Sequence, residues 1–264
     1  MACDWSVTAS HMGIALPRPR QVPLLGWLRI SVRVLGMTAL LLACIPLYYL
    51  WKLFTPHNPW PRLFLHGVTR LAGVRLRVVG EKVHRGAFLL ANHVSWIDIP
   101  AIAGTTGSAF VGHDGLAAMP LLKWLCELND TVFVARHDRT SVAMQVQAVR
   151  TALSDTGALT VFPEGTTSDG TGLLPFKSSL ISALEPLPDG IAVQPVLLDY
   201  GPEAAAVAWV GDEHGLDNFL RILARRRPVN LTLRFLPVLG GAELTNRKTI
   251  AAAARAAMLA ALTR

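Results

Sequence analysis

Eighteen consecutive residues without a charge, Val34 to Trp51 (VLGMTALLLACIPLYYLW), constrain this chain more than any other feature. As a helix the run would span about 27 Å, just under the roughly 30 Å hydrocarbon core of a bilayer. Pro46 is expected to kink it, and Tyr48, Tyr49 and Trp51 cluster at its end as interfacial aromatics do. Upstream, Arg29 and Arg33 stand at i and i+4 beside Trp27, Leu28, Ile30 and Val32, the pattern of an amphipathic helix in the headgroup layer. Basic residues flank the run on both sides, so charge bias sets no orientation. A true span and a monotopic or re-entrant anchor both fit. A cleaved signal peptide fits less well, because the run starts late and no small-x-small site closes it. A core helix of a soluble domain fits less well beside the arginines.

The net charge of +7 and pI near 9.8 raise the question of nucleic acid. The distribution of charge answers it. Residues 1–70 hold seven Lys/Arg against the single acid Asp4, a balance of +6, whereas residues 71–264 hold eighteen basic and seventeen acidic residues. With 52% hydrophobic and only 16% charged residues, against about 25% charged in ordinary soluble domains, no nucleic-acid partner is expected. Cys3, Cys44 and Cys126 lie far apart without CxxC spacing, so neither a disulfide framework nor a thiolate zinc site is indicated, and a cytoplasm-facing location is expected. The length suits one domain plus an appendage: a flexible N-terminus over 1–23, a membrane-anchoring helical segment over 24–60, and a globular domain over 61–264.

Beyond Leu71, short apolar runs alternate with helical patterns. Val74–Val79, Ala87–Asn92, Ser108–Gly112, Thr131–Arg136, Ala158–Pro163, Ile191–Leu198, Ala206–Val210 and Val229–Val238 read as strands. Val142, Val146, Val149 and Leu153 mark one amphipathic helix, and Leu116–Leu128, Lys177–Leu184, Leu216–Arg226 and Asn246–Leu262 are further helical candidates. Alternation of this kind implies an α/β layer structure.

Three stretches can carry chemistry. In Leu90-Ala-Asn-His-Val-Ser-Trp-Ile-Asp-Ile99, His93 and Asp98 would lie about 140° apart on a continuous helix and meet only across a turn. Ser95-x-x-Asp98 is a capping-box pattern, which makes Ser95 the expected N-cap and puts Asp98 in the first helical turn. The carboxylate can then hold one imidazole nitrogen and leave the other as a base; a plain cap is the alternative. In Val161-Phe-Pro-Glu-Gly-Thr-Thr-Ser-Asp-Gly170, Glu164 ends a buried strand at the mouth of the sheet, and Gly165 can bring backbone amides near a ligand. In Thr131–Arg139, Arg136 ends an apolar strand, placed either to grip an anion or to form salt bridges.

Together these stretches resemble the glycerolipid acyltransferase superfamily, best known for the 1-acylglycerol-3-phosphate acyltransferases. Asn92, His93 and Asp98 match its Asn-His-x4-Asp motif; Phe133-Val-Ala-Arg136, with Arg139 beyond, matches the second; Phe162 to Thr166 matches Phe-Pro-Glu-Gly-Thr, followed by Leu-Pro-Phe-Lys at Leu174 to Lys177; and Val193-Gln-Pro-Val196 matches the fourth. The resemblance runs from about Gly73 to Leu198. It implies a mixed central sheet flanked by helices, behind an N-terminal membrane anchor. It also implies that His93 is the general base and that Asp98 orients it. Glu164, Gly165 and Thr166 would line the acceptor site, Arg136 would hold an anionic headgroup, and Lys177 would contact substrate. Amides near Ser95 or Gly165 are the candidate oxyanion donors.

The implied partners are a membrane lyso-lipid and acyl-CoA or acyl-acyl carrier protein as co-substrate, with no other cofactor and no metal, at the cytoplasmic face of the membrane. Thr167 stands where the lysophosphatidate enzymes usually carry an arginine. On family frequency 1-acylglycerol-3-phosphate remains the first acceptor, with lyso-ornithine lipid or another lyso-lipid as the alternative. A lipid hydrolase would need a nucleophile elbow, and no Gly-x-Ser-x-Gly is present. A non-catalytic lipid-surface binding protein is the rival from another class.

Overall fold

The computed structural model describes residues 22–55, 58–113, 120–134, 151, 157–184 and 187–263. Residues 1–21, Arg136, Arg139 and the residues that mark the expected helix, Val142, Val146, Val149 and Leu153, lie outside the described residues.

A seven-stranded sheet forms the centre, in the order β1-β7-β6-β2-β5-β3-β4. Its strands are β1 (Val74–Val79), β2 (Ala87–Ala91), β3 (Ala109–His113), β4 (Val132–Val134), β5 (Ala158–Val161), β6 (Ala192–Asp199) and β7 (Val229–Phe235). All neighbours pair parallel except β6 and β7, which are antiparallel, so the sheet is mixed, as the resemblance implies. Strand β2 is buried throughout, the pattern of a parallel strand covered on both faces. Leu89 and Ala91 join one core cluster, and Phe88 and Leu90 join the other.

The helices are α1 (Leu24–Lys52), α2 (Trp60–Leu71), α3 (Asp98–Thr106), α4 (Pro120–Leu128), α5 (Ala204–Val207), α6 (Gly215–Ala224) and α7 (Arg247–Leu262). Asn246 caps α7 by accepting from the Lys248 and Thr249 amides at 2.9 and 3.1 Å. That helix buries Ile250, Ala251, Ala254 and Met258.

Several expectations need correction. The segment Ala206–Val210 is not a strand: Ala204–Val207 forms α5, since three consecutive alanines favour helix, and Trp209 N–H then donates to Val94 O at 2.9 Å. Lys177–Leu184 is a 3₁₀ helix over Ser178–Leu184 rather than an α-helix. Helix α2 was not expected from the sequence; Pro61 starts it within the first turn.

The apolar run and the arginine-bearing stretch before it form one continuous helix, α1, with Pro46 inside it. Its most apolar window has a mean hydropathy of 2.0 and is only 11% buried, unlike a core helix, and it is long and apolar enough to cross a membrane. The arginines reach back to the domain. Arg33 Nη1 donates to Leu223 O at 3.0 Å and Arg29 Nη1 to Ala224 O at 3.3 Å, at the C-terminal end of α6. Cations there satisfy carbonyls that lack helical partners and complement the helix dipole.

Candidate active site

The site forms where β2, β5 and β6 end. Asn92, 2% exposed, ties β2 to β6: Leu198 N–H donates to its Oδ1 at 2.7 Å and its Nδ2 donates to Leu198 O at 3.1 Å. The chain then turns sharply through residues 93–98. Asp98 N–H donates to Ser95 O at 3.1 Å, while Asp98 Oδ2 accepts the amides of Val94 at 2.6 Å and Ser95 at 2.9 Å.

This turn brings His93 Nδ1 within 2.8 Å of Asp98 Oδ2. Helix α3 starts at Asp98 itself, with Ile97 preceding it, so Ser95 is not the N-cap. The acidic half of the expected capping box is present, but Ser95 Oγ turns away to Asn218 Oδ1 at 3.3 Å. Asn218 competes for the hydroxyl from 123 residues away, a partner no local pattern contains.

Asp98 is fully buried. Its Oδ1 accepts the hydroxyl of Tyr200, itself 3% exposed at the end of β6. The Tyr200 phenol is pushed well above its ordinary range by burial and by the neighbouring Asp98. A carboxylate acting as acceptor requires the proton on Nδ1 of His93, leaving a lone pair on Nε2. No described residue hydrogen-bonds Nε2. The imidazole stacks on Phe162 with ring centroids 4.1 Å apart and planes 15° from parallel. Its side chain is 17% exposed, enough for a substrate hydroxyl to approach.

The Glu164 turn packs against the same loop. Ser168 donates to His93 O through its amide at 2.7 Å and its Oγ at 3.1 Å. Gly165, at φ 71°, adopts a conformation that disfavours any side chain, and Lys177 Nζ lies 3.2 Å from where a Cβ would sit. Lys177 is further fixed by its amide, which donates to Pro163 O at 2.8 Å. Thr166 is exposed on this turn. His93, Asp98, Glu164, Gly165, Thr166 and Lys177 therefore lie on the linked turns at these strand ends, while Arg136 is outside the described residues. The amides of Ser95 and Gly165 themselves are engaged, to Asp98 Oδ2 and Phe162 O.

Glu164 is 1% exposed, and neither carboxyl oxygen makes a hydrogen bond of ordinary geometry among the described residues. Burial pushes its pKa up to about 8; nearby His93 and Leu174 amides and Ser168 oppose the shift, and Asp98 adds to it. Unfolding returns the group to its ordinary value of 4.5. Between those values the unfolded chain releases the proton and the folded chain keeps it, so stability falls as pH rises through this window. The decline approaches about 1.4 kcal/mol per pH unit. Glu164→Gln is expected to flatten the fall of Tm between about pH 5 and 8; equal slopes in both proteins would contradict the buried neutral acid.

Tyr200 lies outside every motif that the sequence presents. Its signal is an aromatic with a polar tip at the end of a buried strand, and such a hydroxyl needs a partner.

A family model described as Acyltransferase matches residues 75–199. The lyso-ornithine lipid O-acyltransferase of Brucella abortus is 34% identical over 249 residues, covering 86% of this chain and 91% of that protein. Its counterpart from Rhodobacter capsulatus is 29% identical, covering 94% and 95%. The 1-acyl-sn-glycerol-3-phosphate acyltransferase of Neisseria meningitidis is 30% identical over 61% of this chain and 64% of its own length. The crystal structure of the 1-acyl-sn-glycerophosphate acyltransferase of Thermotoga maritima shares the fold, with a TM-score of 0.64 at 16% identity, covering 90% of this chain and 96% of that one.

Proposed function

Since this chain belongs to the acyltransferase family, we propose that it moves a fatty acyl group from acyl-CoA or acyl-acyl carrier protein to the free hydroxyl of a lyso-lipid, with lyso-ornithine lipid the preferred acceptor. The observation that carries the chemistry is the His93–Asp98 pair, with Nδ1 held at 2.8 Å and Nε2 left open. Nε2 takes the hydroxyl proton as the oxygen attacks the thioester carbonyl. The C–O bond forms, the C–S bond breaks, and the imidazolium returns its proton to the departing thiolate. Asp98 stabilises the positive imidazolium between those events.

Two observations move lyso-ornithine lipid ahead of 1-acylglycerol-3-phosphate. Four relatives at 29–35% identity carry that activity in their names. Thr167, in the place of the phosphate-binding arginine, spends its hydroxyl on Trp209 O and offers no cation. Helix α1 attaches the enzyme to the membrane, and the catalytic domain faces the cytoplasm.

The test supplies detergent-purified protein with labelled acyl-CoA or acyl-acyl carrier protein and a panel of lyso-lipids. Transfer to lyso-ornithine lipid at least about tenfold faster than to 1-acylglycerol-3-phosphate is expected, equivalent to about 1.4 kcal/mol. The reverse preference would restore 1-acylglycerol-3-phosphate as the acceptor.

A further inference from the structure

We infer that the trough between α2 and β1 is a second lipid site, which binds the phosphate of an anionic phospholipid drawn from the bilayer. The trough is a cavity of about 770 Å³ formed by α2, β1 and the segment after it, and the C-terminal end of α3. It shares no lining residue with the turns that carry His93 and Glu164.

Its rim is cationic. Arg62, His66 and Arg70 follow one another at i, i+4 and i+8 along one side of α2. Lys82 and His84 face them from the segment after β1, and Glu81 is the single acid among the described lining residues. None of the five basic residues forms an ion pair with a described residue. Arg62 Nη2 and Lys82 Nζ both donate to Thr105 O, at 3.0 and 2.9 Å. That carbonyl is a dipole end and neutralises neither cation. Burial and the nearby Arg62 push the Lys82 pKa down, as expected where cations converge without a counter-ion. A phosphate supplies that charge and accepts from several donors at once.

The floor indicates where the phosphate comes from. Val74, Leu76 and Val78 are alternate residues of β1 and line the trough together. Val78 is 47% exposed. An apolar strip beside a cationic rim suits a headgroup joined to an acyl chain better than a free phosphate or nucleotide. Exposed apolar surface begins at the rim itself: Leu63, next to Arg62 in the chain, is 51% exposed.

Native mass spectrometry of the full chain in detergent, titrated with phosphatidylglycerol, tests the site without depending on acyl transfer. Its failure would leave the catalytic proposal standing. The variant is Arg70→Gln combined with His84→Gln, because neither side chain hydrogen-bonds a described residue; an unchanged Tm verifies its fold. One phosphatidylglycerol per chain is expected, with occupancy at least about fivefold lower in the variant and weaker binding of phosphatidylcholine. Equal phosphatidylglycerol occupancy in variant and wild type would overturn the site. Displacement of the lipid by millimolar inorganic phosphate or by CoA would also overturn it, reassigning the trough to a soluble phosphate ligand or to the donor's nucleotide.

Discussion

His93→Ala is expected to lower kcat by about 10²–10⁴-fold, the usual contribution of a positioned general base. In the proposed mechanism the imidazole reaches the chemistry through one atom, Nε2, because Asp98 holds Nδ1 and Phe162 covers one ring face. Alanine leaves the turn's backbone bonds in place: Ser168 still meets the residue 93 carbonyl, and Asp98 still meets the Val94 and Ser95 amides. Circular dichroism should therefore report an unchanged fold, and single-turnover transfer from labelled acyl-CoA should report the loss. Transfer at the wild-type rate would remove His93 from the mechanism.

Tyr200→Phe separates positioning from chemistry. It removes one donor from Asp98 and leaves Oδ1 buried without a hydrogen bond. A fall of about tenfold in kcat at constant KM is expected, because a partly satisfied buried network holds the imidazole less well. A change confined to KM would assign Tyr200 to substrate binding instead.

The second large effect concerns stability. Gly104 lies inside α3 where that helix crosses α2, and a Cβ there would sit 2.7 Å from both the backbone nitrogen and the Cα of His66. Removing a glycine from a helix interior ordinarily gains up to about 1 kcal/mol. Overpacking against an unyielding neighbour costs about 1–3 kcal/mol and sometimes more. The clash is with main chain and no rotamer can relieve it, so the cost wins. Gly104→Val is expected to lower stability by about 2–3 kcal/mol, with Gly104→Ala intermediate, as read by denaturant unfolding in detergent. Because α3 begins at Asp98, a displaced helix also disturbs the dyad, and activity should fall with stability. An alanine variant more stable than wild type would show that α2 and α3 can separate freely.

Much of this arrangement was legible in the sequence because local physics determines it. Buried parallel strands declare themselves as short apolar runs, which is why β1 matches its expected limits and the core of β2 is recovered. The spacing of His93 and Asp98 allows the side chains to meet only across a turn, and it was the resemblance to a known motif, not the spacing, that favoured this meeting over a plain helix cap. Other features depend on partners distant in the chain. Ser95 has the sequence of an N-cap, yet Asn218 takes its hydroxyl. Ala206–Val210 is a short apolar run like a strand, but the alanines before it carry Val207 into helix α5, and the Trp209 amide bonds the loop after β2 instead. Helix α2 is short, and its stability comes from packing on α1 and α3, to which a sequence window is blind.

The seat that α6 provides for Arg29 and Arg33 also orders the events of synthesis. Their carbonyl partners lie 189 to 195 residues further along the chain. When α1 leaves the ribosome its partner carbonyls have not been made, and a contact of such sequence separation closes late. The apolar helix can therefore meet the bilayer while the sheet is still being assembled, and the finished domain docks back onto it. Nascent chains that stop before Gly215 lack the helix that closes this joint.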